Sequence, residues 1–274
     1  MAVSTVDYRL DGAVAVIELR RPAARNALDA ATKEQLLVAL QWAGADGERP
    51  DGERSDGERA RAVLIRAEGP AFCVGQDLAE HARALDADPG TAFDTVPQHY
   101  NPLVTAFHAL PQPVVAAVEG ACVGAGLGLA LGADLRVAGD TAFFATAFAG
   151  VGLAADTGVS RALTRLLGAS RAAGLLLLGD RFSAEEAARW GLVHRVVPAG
   201  QAAQAGLDLA RQLAAGPTAA FAETKALLRA AADGDLDAAL EREAAAQRRL
   251  GATADHRNAV RAFLNREKPH FEGR

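Results

Sequence analysis

The densest concentration of residues able to do chemistry is the cluster Glu119-Gly120-Ala121-Cys122-Val123-Gly124-Ala125-Gly126-Leu127-Gly128. It follows an apolar β-like run and precedes an apolar helical one, so its glycines bare backbone N–H groups at a helix N-terminus. The helix dipole favours developing negative charge there. A tight strand-to-helix turn that needs glycine only for its φ accounts for the same residues. The dinucleotide fingerprint G-x-G-x-x-G is not met, because Leu129 stands where the third glycine belongs, which disfavours a nicotinamide enzyme. A second turn, Glu68-Gly69-Pro70-Ala71-Phe72-Cys73-Val74-Gly75-Gln76-Asp77-Leu78, also follows a strand-like run. Two such turns on neighbouring strands are able to aim one N–H each at a single oxygen.

Other chemistries have weaker support. Histidines 81, 99, 108, 194, 256 and 270 form no H-E-x-x-H pair and share no ligand spacing, so no metal is expected. His81 and His99 fall in a segment able to line a pocket, but read better as loop or surface residues. Gly158-Val159-Ser160-Arg161-Ala162 is one glycine short of the G-x-S-x-G nucleophile elbow. Cys73 and Cys122 have no C-x-x-C neighbours, which argues against a disulfide framework or structural zinc and for a reducing compartment.

The elements that must position these residues follow from local patterns. Val14 to Leu19 and the run before it read as two strands about the Asp11-Gly12 turn. Asp29 caps a helix carrying Leu36, Leu37, Leu40 and Trp42. Asp-Gly-Glu-Arg then recurs at Asp46, Asp51 and Asp56, a polar repeat read as a solvated loop. Ala62 to Arg66 and Pro113 to Val118 read as buried strands. The segment between them from Leu78 to Pro111 reads as irregular and mobile, with a helix near Tyr100 to Leu110. A further strand is expected over Asp134 to Ala138. Ser183-Ala184-Glu185-Glu186 is a capping box, Gly191 a stop, and Ala/Leu/Arg helices run from Gln201 onward. The fold class is therefore α/β, with a core over residues 1–200 and an α-helical region over 201–274 whose apolar side chains need the core or another subunit to cover them.

Six segments in order then resemble the crotonase (enoyl-CoA hydratase/isomerase) superfamily: Arg21-Pro22-Ala23-Ala24-Arg25-Asn26-Ala27-Leu28, Phe72 to Leu78, Gly120 to Gly128, Gly152-Leu153-Ala154-Ala155-Asp156-Thr157-Gly158, Gly179 to Ala187, and Gly191-Leu192-Val193. The resemblance implies a crotonase-like spiral of β-β-α turns, a helical region used in homotrimers or hexamers, and an acyl-CoA thioester as ligand, with no cofactor beyond the substrate's own CoA. It places the thioester oxygen between the backbone N–H groups of Cys73 and Ala125. It assigns substrate contacts to Ala23, Ala24 and Arg25, to Ala71, Gln76, Asp77 and Leu78, to Gly124, Gly126 and Phe148, and to Phe263 and Arg266 in the tail. For Arg25 a plain surface arginine fits equally well, and for Phe263 ordinary helix packing is the stronger reading from sequence.

The chain departs from the hydratase pattern. Gly128 stands where the first water-holding glutamate belongs, and Thr146-Ala147-Phe148-Ala149 contains no acid at the second. Asp156 remains, and resembles the aspartate of dienoyl-CoA and ring-epoxide isomerases. One base is able to move a proton between two carbons of a bound enolate, so isomerisation is expected where two-carboxylate hydration is not. An atypical hydratase and a non-catalytic acyl-CoA binder are the alternatives; in the last, Asp156 merely caps the helix that follows it. Glu119 and Asp134 read as structural, and Asp77 as a turn or helix cap.

Composition bounds the rest. The 274 residues are 50% hydrophobic with a net charge of -5, so disorder and a global basic field for nucleic acid are excluded. No signal-like start or membrane-length apolar run is present, so a cytoplasmic location without membrane contact is expected.

Overall fold

The computed structural model describes residues 4–44, 59–231 and 235–273. The Asp-Gly-Glu-Arg repeat therefore lies outside the described residues. Strands β1 (Val6–Asp11) and β2 (Val14–Leu19) pair antiparallel about Gly12, whose φ of 54° is the left-handed turn conformation that the Asp-Gly pair suggests. Helix α1 (Ala30–Gly44) starts where the Asp29 carboxylate accepts the Thr32 N–H at 2.8 Å.

Two sheets then build in step. Strands β3 (Ala62–Ala67), β5 (Val114–Val118), β7 (Leu135–Gly139) and β10 (Arg195–Val197) complete the larger sheet in the order β1-β2-β3-β5-β7-β10. Strands β4 (Ala71–Cys73), β6 (Ala121–Val123), β8 (Phe143–Ala145) and β9 (Phe182–Ser183) form the smaller, ordered β4-β6-β8-β9. Each winding from β3 to β8 sends one strand to each sheet, which is the expected spiral of β-β-α turns. Every residue of β5 is buried, and this explains its unbroken Val/Ala composition.

Helices fill the crossovers: α2 (Leu78–Ala87) and α3 (Asn101–Ala109), then α4 (Ala125–Gly132), then α5 (Val159–Leu167) and α6 (Ala169–Leu178), and α7 (Ala184–Arg189). The Ser183–Glu186 capping box forms in both directions. After β10 come α8 (Ala202–Ala214), α9 (Thr218–Ala231), α10 (Leu236–Gly251) and α11 (Ala254–Asn265). Leu207, Leu209 and Ala210 of α8 close a second core against Val16, Leu64 and Val115 on the outer face of the larger sheet.

Two expectations need correction. The segment after Leu78 is not irregular throughout: α2 occupies its start, and a wide helical turn over Val96–Tyr100 leads into α3. α2 buries none of its residues, so its apolar side chains, Leu78 among them, face the cleft and solvent and not the core. What starts it is Asp77, whose carboxylate accepts the N–H groups of Ala79 and Glu80 at 3.1 and 3.0 Å. Phe263 is not packed within the chain either; it is 82% exposed, as Leu264 is at 74%. Leu228, Leu236 and Leu240 on α9 and α10 are also exposed, so the core covers α8 but leaves these side chains of α9 to α11 uncovered.

Candidate active site

The two glycine-flanked turns meet. β4 and β6 are parallel neighbours, with Cys73 opposite Cys122, so the chain leaving β4 runs beside the chain entering α4. A Cβ on Gly75 would stand 3.2 Å from the Ala125 nitrogen, and one on Gly126 would stand 2.8 Å from the Cys73 carbonyl carbon. Glycine is needed at 126 because the α4 N-terminus packs directly on the Cys73 peptide. Gly124 has a φ of 57°, a conformation that swings the chain from β6 into the helix. As the first residue of α4, Ala125 has an N–H without an intrahelical acceptor.

Beside these turns lies a cleft that opens to solvent. Of the expected site residues, Gln76, Leu78, Gly124, Ala125, Phe148 and Asp156 line it. Cys73 is fully buried and not among the residues lining the cleft, though the next residue, Val74, is; burial pushes its thiol up to about 12, so that side chain stays protonated and is no nucleophile at neutral pH. Ala71 is buried within β4, and Gly126 lies beneath the cleft floor against Cys73.

Asp77 turns away from the cleft. Besides capping α2 it pairs with Arg21 at 3.0 Å, and Arg21 also reaches Asp29 at 3.1 Å, tying the 21–28 stretch to the second turn. Burial opposes ionisation of Asp77, but the Glu80 N–H and the Arg21 guanidinium outweigh it and hold the carboxyl below its ordinary pKa. Ala23, Ala24 and Arg25 form a short helical turn and its left-handed end, with Arg25 exposed at a φ of 50°. Arg266 ends α11 in the same left-handed conformation. Neither this stretch nor Phe263 lines the cleft in the single chain.

Asp156 is the only carboxylate among the described residues that line the cleft. Its Oδ1 is buried and has no hydrogen-bond partner among the described residues. Burial raises its pKa above the ordinary carboxylate value, outweighing the opposing pull of the neighbouring Thr157 hydroxyl, of its own backbone N–H and, least, of the Lys33 charge. The capping alternative does not hold: Gly158, not Asp156, is the N-cap of α5, no side chain caps it, and Asp156 engages the helix through its backbone carbonyl, which accepts from Val159 at 3.0 Å. Glu119 and Asp134 are structural as expected. Glu119 accepts the Ala202 N–H at 2.8 Å, while Asp134 accepts the Val114 N–H at 2.8 Å and pairs with Lys225 at 2.6 Å.

Sequence reasoning missed several wall residues. Tyr100, Thr95 and Phe93 line the cleft, and His81 from α2 stands edge-on to Phe93 at 4.9 Å. Lys33 was missed as well; it is buried in the adjoining wall at 1% exposure. Its signal was a lysine on the otherwise core-facing side of α1, between Thr32 and Leu36, which are both buried. Among the described residues no group of three or more His, Cys, Asp or Glu gathers to hold a metal ion, and no helix is long and apolar enough to cross a membrane.

Two sheets wound in step, with an acid-bearing cleft where two glycine turns abut, define a protein of the crotonase fold. The chain belongs to the enoyl-CoA hydratase/isomerase family, whose sequence profile matches residues 9–274. It is 41% identical over 275 residues to a Rhodobacter capsulatus protein named a probable enoyl-CoA hydratase, with 100% of each chain covered. It is likewise 41% identical over 218 residues to the 1,2-epoxyphenylacetyl-CoA isomerase of Escherichia coli, covering 78% of this chain and 82% of that one. A crystal structure from Mycobacterium abscessus, described as an enoyl-CoA hydratase/isomerase, matches with a TM-score of 0.92 and 54% identity over 98% of this chain and 100% of that one.

Proposed function

We propose that the protein is an acyl-CoA isomerase that shifts a double bond or opens and rearranges a ring epoxide, using Asp156 as its single base. The observation that carries this reading is the unpartnered Asp156 Oδ1 in a cleft without a second carboxylate among its described lining residues. The thioester oxygen is held by the N–H groups of Cys73 and Ala125, at the N-terminus of α4. Charge that collects on that oxygen when a neighbouring carbon loses its proton is stabilised there; one such donor is worth about a hundred- to a thousandfold in rate. In a double-bond shift, the Asp156 carboxylate takes a proton from the carbon beside the thioester, the electron pair delocalises into the thioester as a dienolate, and the protonated acid returns the proton to the far end of that dienolate as the double bond moves. A pKa raised by burial strengthens Asp156 as a base and suits it to both halves of the exchange. This chemistry needs no metal and no cofactor beyond the CoA of the substrate. Ala23 to Arg25 contact CoA, and the exposed Phe263 and Arg266 meet a neighbouring subunit of a homotrimer or hexamer in the cytoplasm.

A hydratase is the second reading, favoured by the full-length relative that bears that name. Incubation with 2-enoyl-, 3-enoyl- and ring-epoxide thioesters separates the two. An isomer of unchanged mass is the expected product, and a 3-hydroxyacyl-CoA as main product would overturn the isomerase. Asp156→Asn is expected to cut turnover by about 10²–10⁴ while CoA-ester binding persists. Undiminished turnover in that variant would remove Asp156 from the mechanism.

A further inference from the structure

The wall facing the acyl group contains a buried arrangement with no part in the proton transfer above. Lys33 donates from Nζ to Thr95 Oγ1 at 2.6 Å and to Gln76 Oε1 at 3.2 Å, with Glu80 at 3.8 Å and the Tyr100 ring centroid at 5.0 Å. The Tyr100 hydroxyl donates to the same Gln76 Oε1 at 2.6 Å. Burying an ammonium is costly unless it is paired, so this much satisfaction around one lysine marks a built feature.

Its consequence falls on Gln76. An ammonium group only donates, so the amide atom turned toward Lys33 is the oxygen, and the phenol donor agrees with that orientation. The backbone is held too: Leu28 donates to the Gly75 carbonyl at 2.8 Å and accepts the Asp77 N–H at 3.1 Å, so Gln76 is clamped at both ends. With both donors on Oε1, the NH2 group is turned away from them. It has no acceptor among the described residues, and Gln76 lines the cleft. The same cleft is lined by apolar side chains including Leu78, Val96 and Phe148.

We propose that Gln76, locked by Lys33 and Tyr100, is a specificity donor that selects acyl groups carrying an acceptor oxygen a few bonds from the thioester, such as an epoxide or ketone. This rests on the acyl-CoA reading of the site. A pure hydrocarbon strips water from the Gln76 NH2 group and returns nothing, whereas an acceptor oxygen replaces that water. Leaving such a donor unpaired costs about ten- to a hundredfold in affinity. Lys33 and Tyr100 are positioning residues, since they act through the amide and touch no reacting atom.

The test uses two unreactive saturated thioesters, cyclohexylacetyl-CoA and 2-oxocyclohexylacetyl-CoA, titrated calorimetrically into the full-length protein. The wild type is expected to bind the ketone at least about tenfold more tightly. Gln76→Glu keeps an oxygen facing Lys33 and Tyr100 but puts an acceptor where the NH2 group stood, so the preference should vanish or invert. Tyr100→Phe, which frees one side of the clamp, should narrow the ratio; a merely structural tyrosine would weaken both ligands alike. Equal affinities in the wild type, or an unchanged ratio in Gln76→Glu, overturn the proposal while leaving the acyl-CoA site intact. Failure of both thioesters to bind overturns the acyl-CoA reading and this inference with it.

Discussion

Gly128 and Thr157 pack so closely that a Cβ on the glycine would stand 2.6 Å from the Cβ of the threonine. By the resemblance to hydratases, Gly128 is the position expected to carry their first water-holding glutamate. The carboxylate is therefore absent in chemistry and excluded in space, because Thr157, buried and held at a left-handed φ of 49°, occupies the volume that a side chain would need.

Installing that glutamate should fail. Gly128→Glu is expected to cost about 1–3 kcal/mol of stability by overpacking, seen as a lowered thermal midpoint, without yielding hydratase product. Adding Thr157→Gly should recover part of the loss, because it clears the space and relieves the left-handed backbone. A stable, hydrating Gly128→Glu single variant would refute this account of the site.

The titration of Asp156 predicts a stability effect of definite sign. Its pKa is higher in the folded than in the unfolded chain, so folding favours the neutral acid. Stability associated with that acid is complete below the ordinary carboxylate range and is lost as pH rises through the raised value. Asp156→Asn should thus melt at a higher temperature than the wild type at neutral pH, with the difference closing toward about pH 4. Thermal denaturation of both proteins across pH 4 to 8 measures it; a variant less stable at neutral pH would mean that the carboxylate anion is paired after all.

Gly126 packs closely on the Cys73 peptide, so one contact links the two turns proposed to supply the amide donors. Gly126→Ala should push the α4 N-terminus away from β4 and separate the donors. Turnover is expected to fall about tenfold or more, with far-UV circular dichroism unchanged, because small displacements at the reacting centre cost rate before they cost fold. Wild-type turnover in that variant would show that the two turns do not act on one oxygen.

The exposed tail predicts an assembly. Phe263 is 82% exposed, so removing it has little to undo within the chain. Phe263→Ser with Leu264→Ser should leave the monomer's secondary structure intact yet reduce the mass seen in analytical ultracentrifugation, where the wild type should sediment as more than one chain. Unchanged mass in the double variant would exclude this surface as the contact.

What was legible in the sequence is what short-range physics decides. The Asp11-Gly12 hairpin, the Asp29 and Asp77 caps, the Ser183–Glu186 box and the apolar strands β3 and β5 are each set by residues within one turn of each other. Asp156 was also singled out, by being the acid left in a family-like segment. Strands of two or three residues, such as β4, β6, β8 and β9, were not legible, since so short a run carries no period and is held by its neighbours. Helix α2 is masked by the Pro89-Gly90 and Pro97 breaks that follow it, which make the whole segment read as irregular. Only the tertiary structure could decide that Lys33, Gln76 and Tyr100, separated by 43 and 24 residues, share one oxygen. The same holds for the Asp156 carboxylate, which stands in the cleft instead of capping α5. Those facts depend on which windings of the spiral lie side by side, and no local pattern encodes a distance between turns.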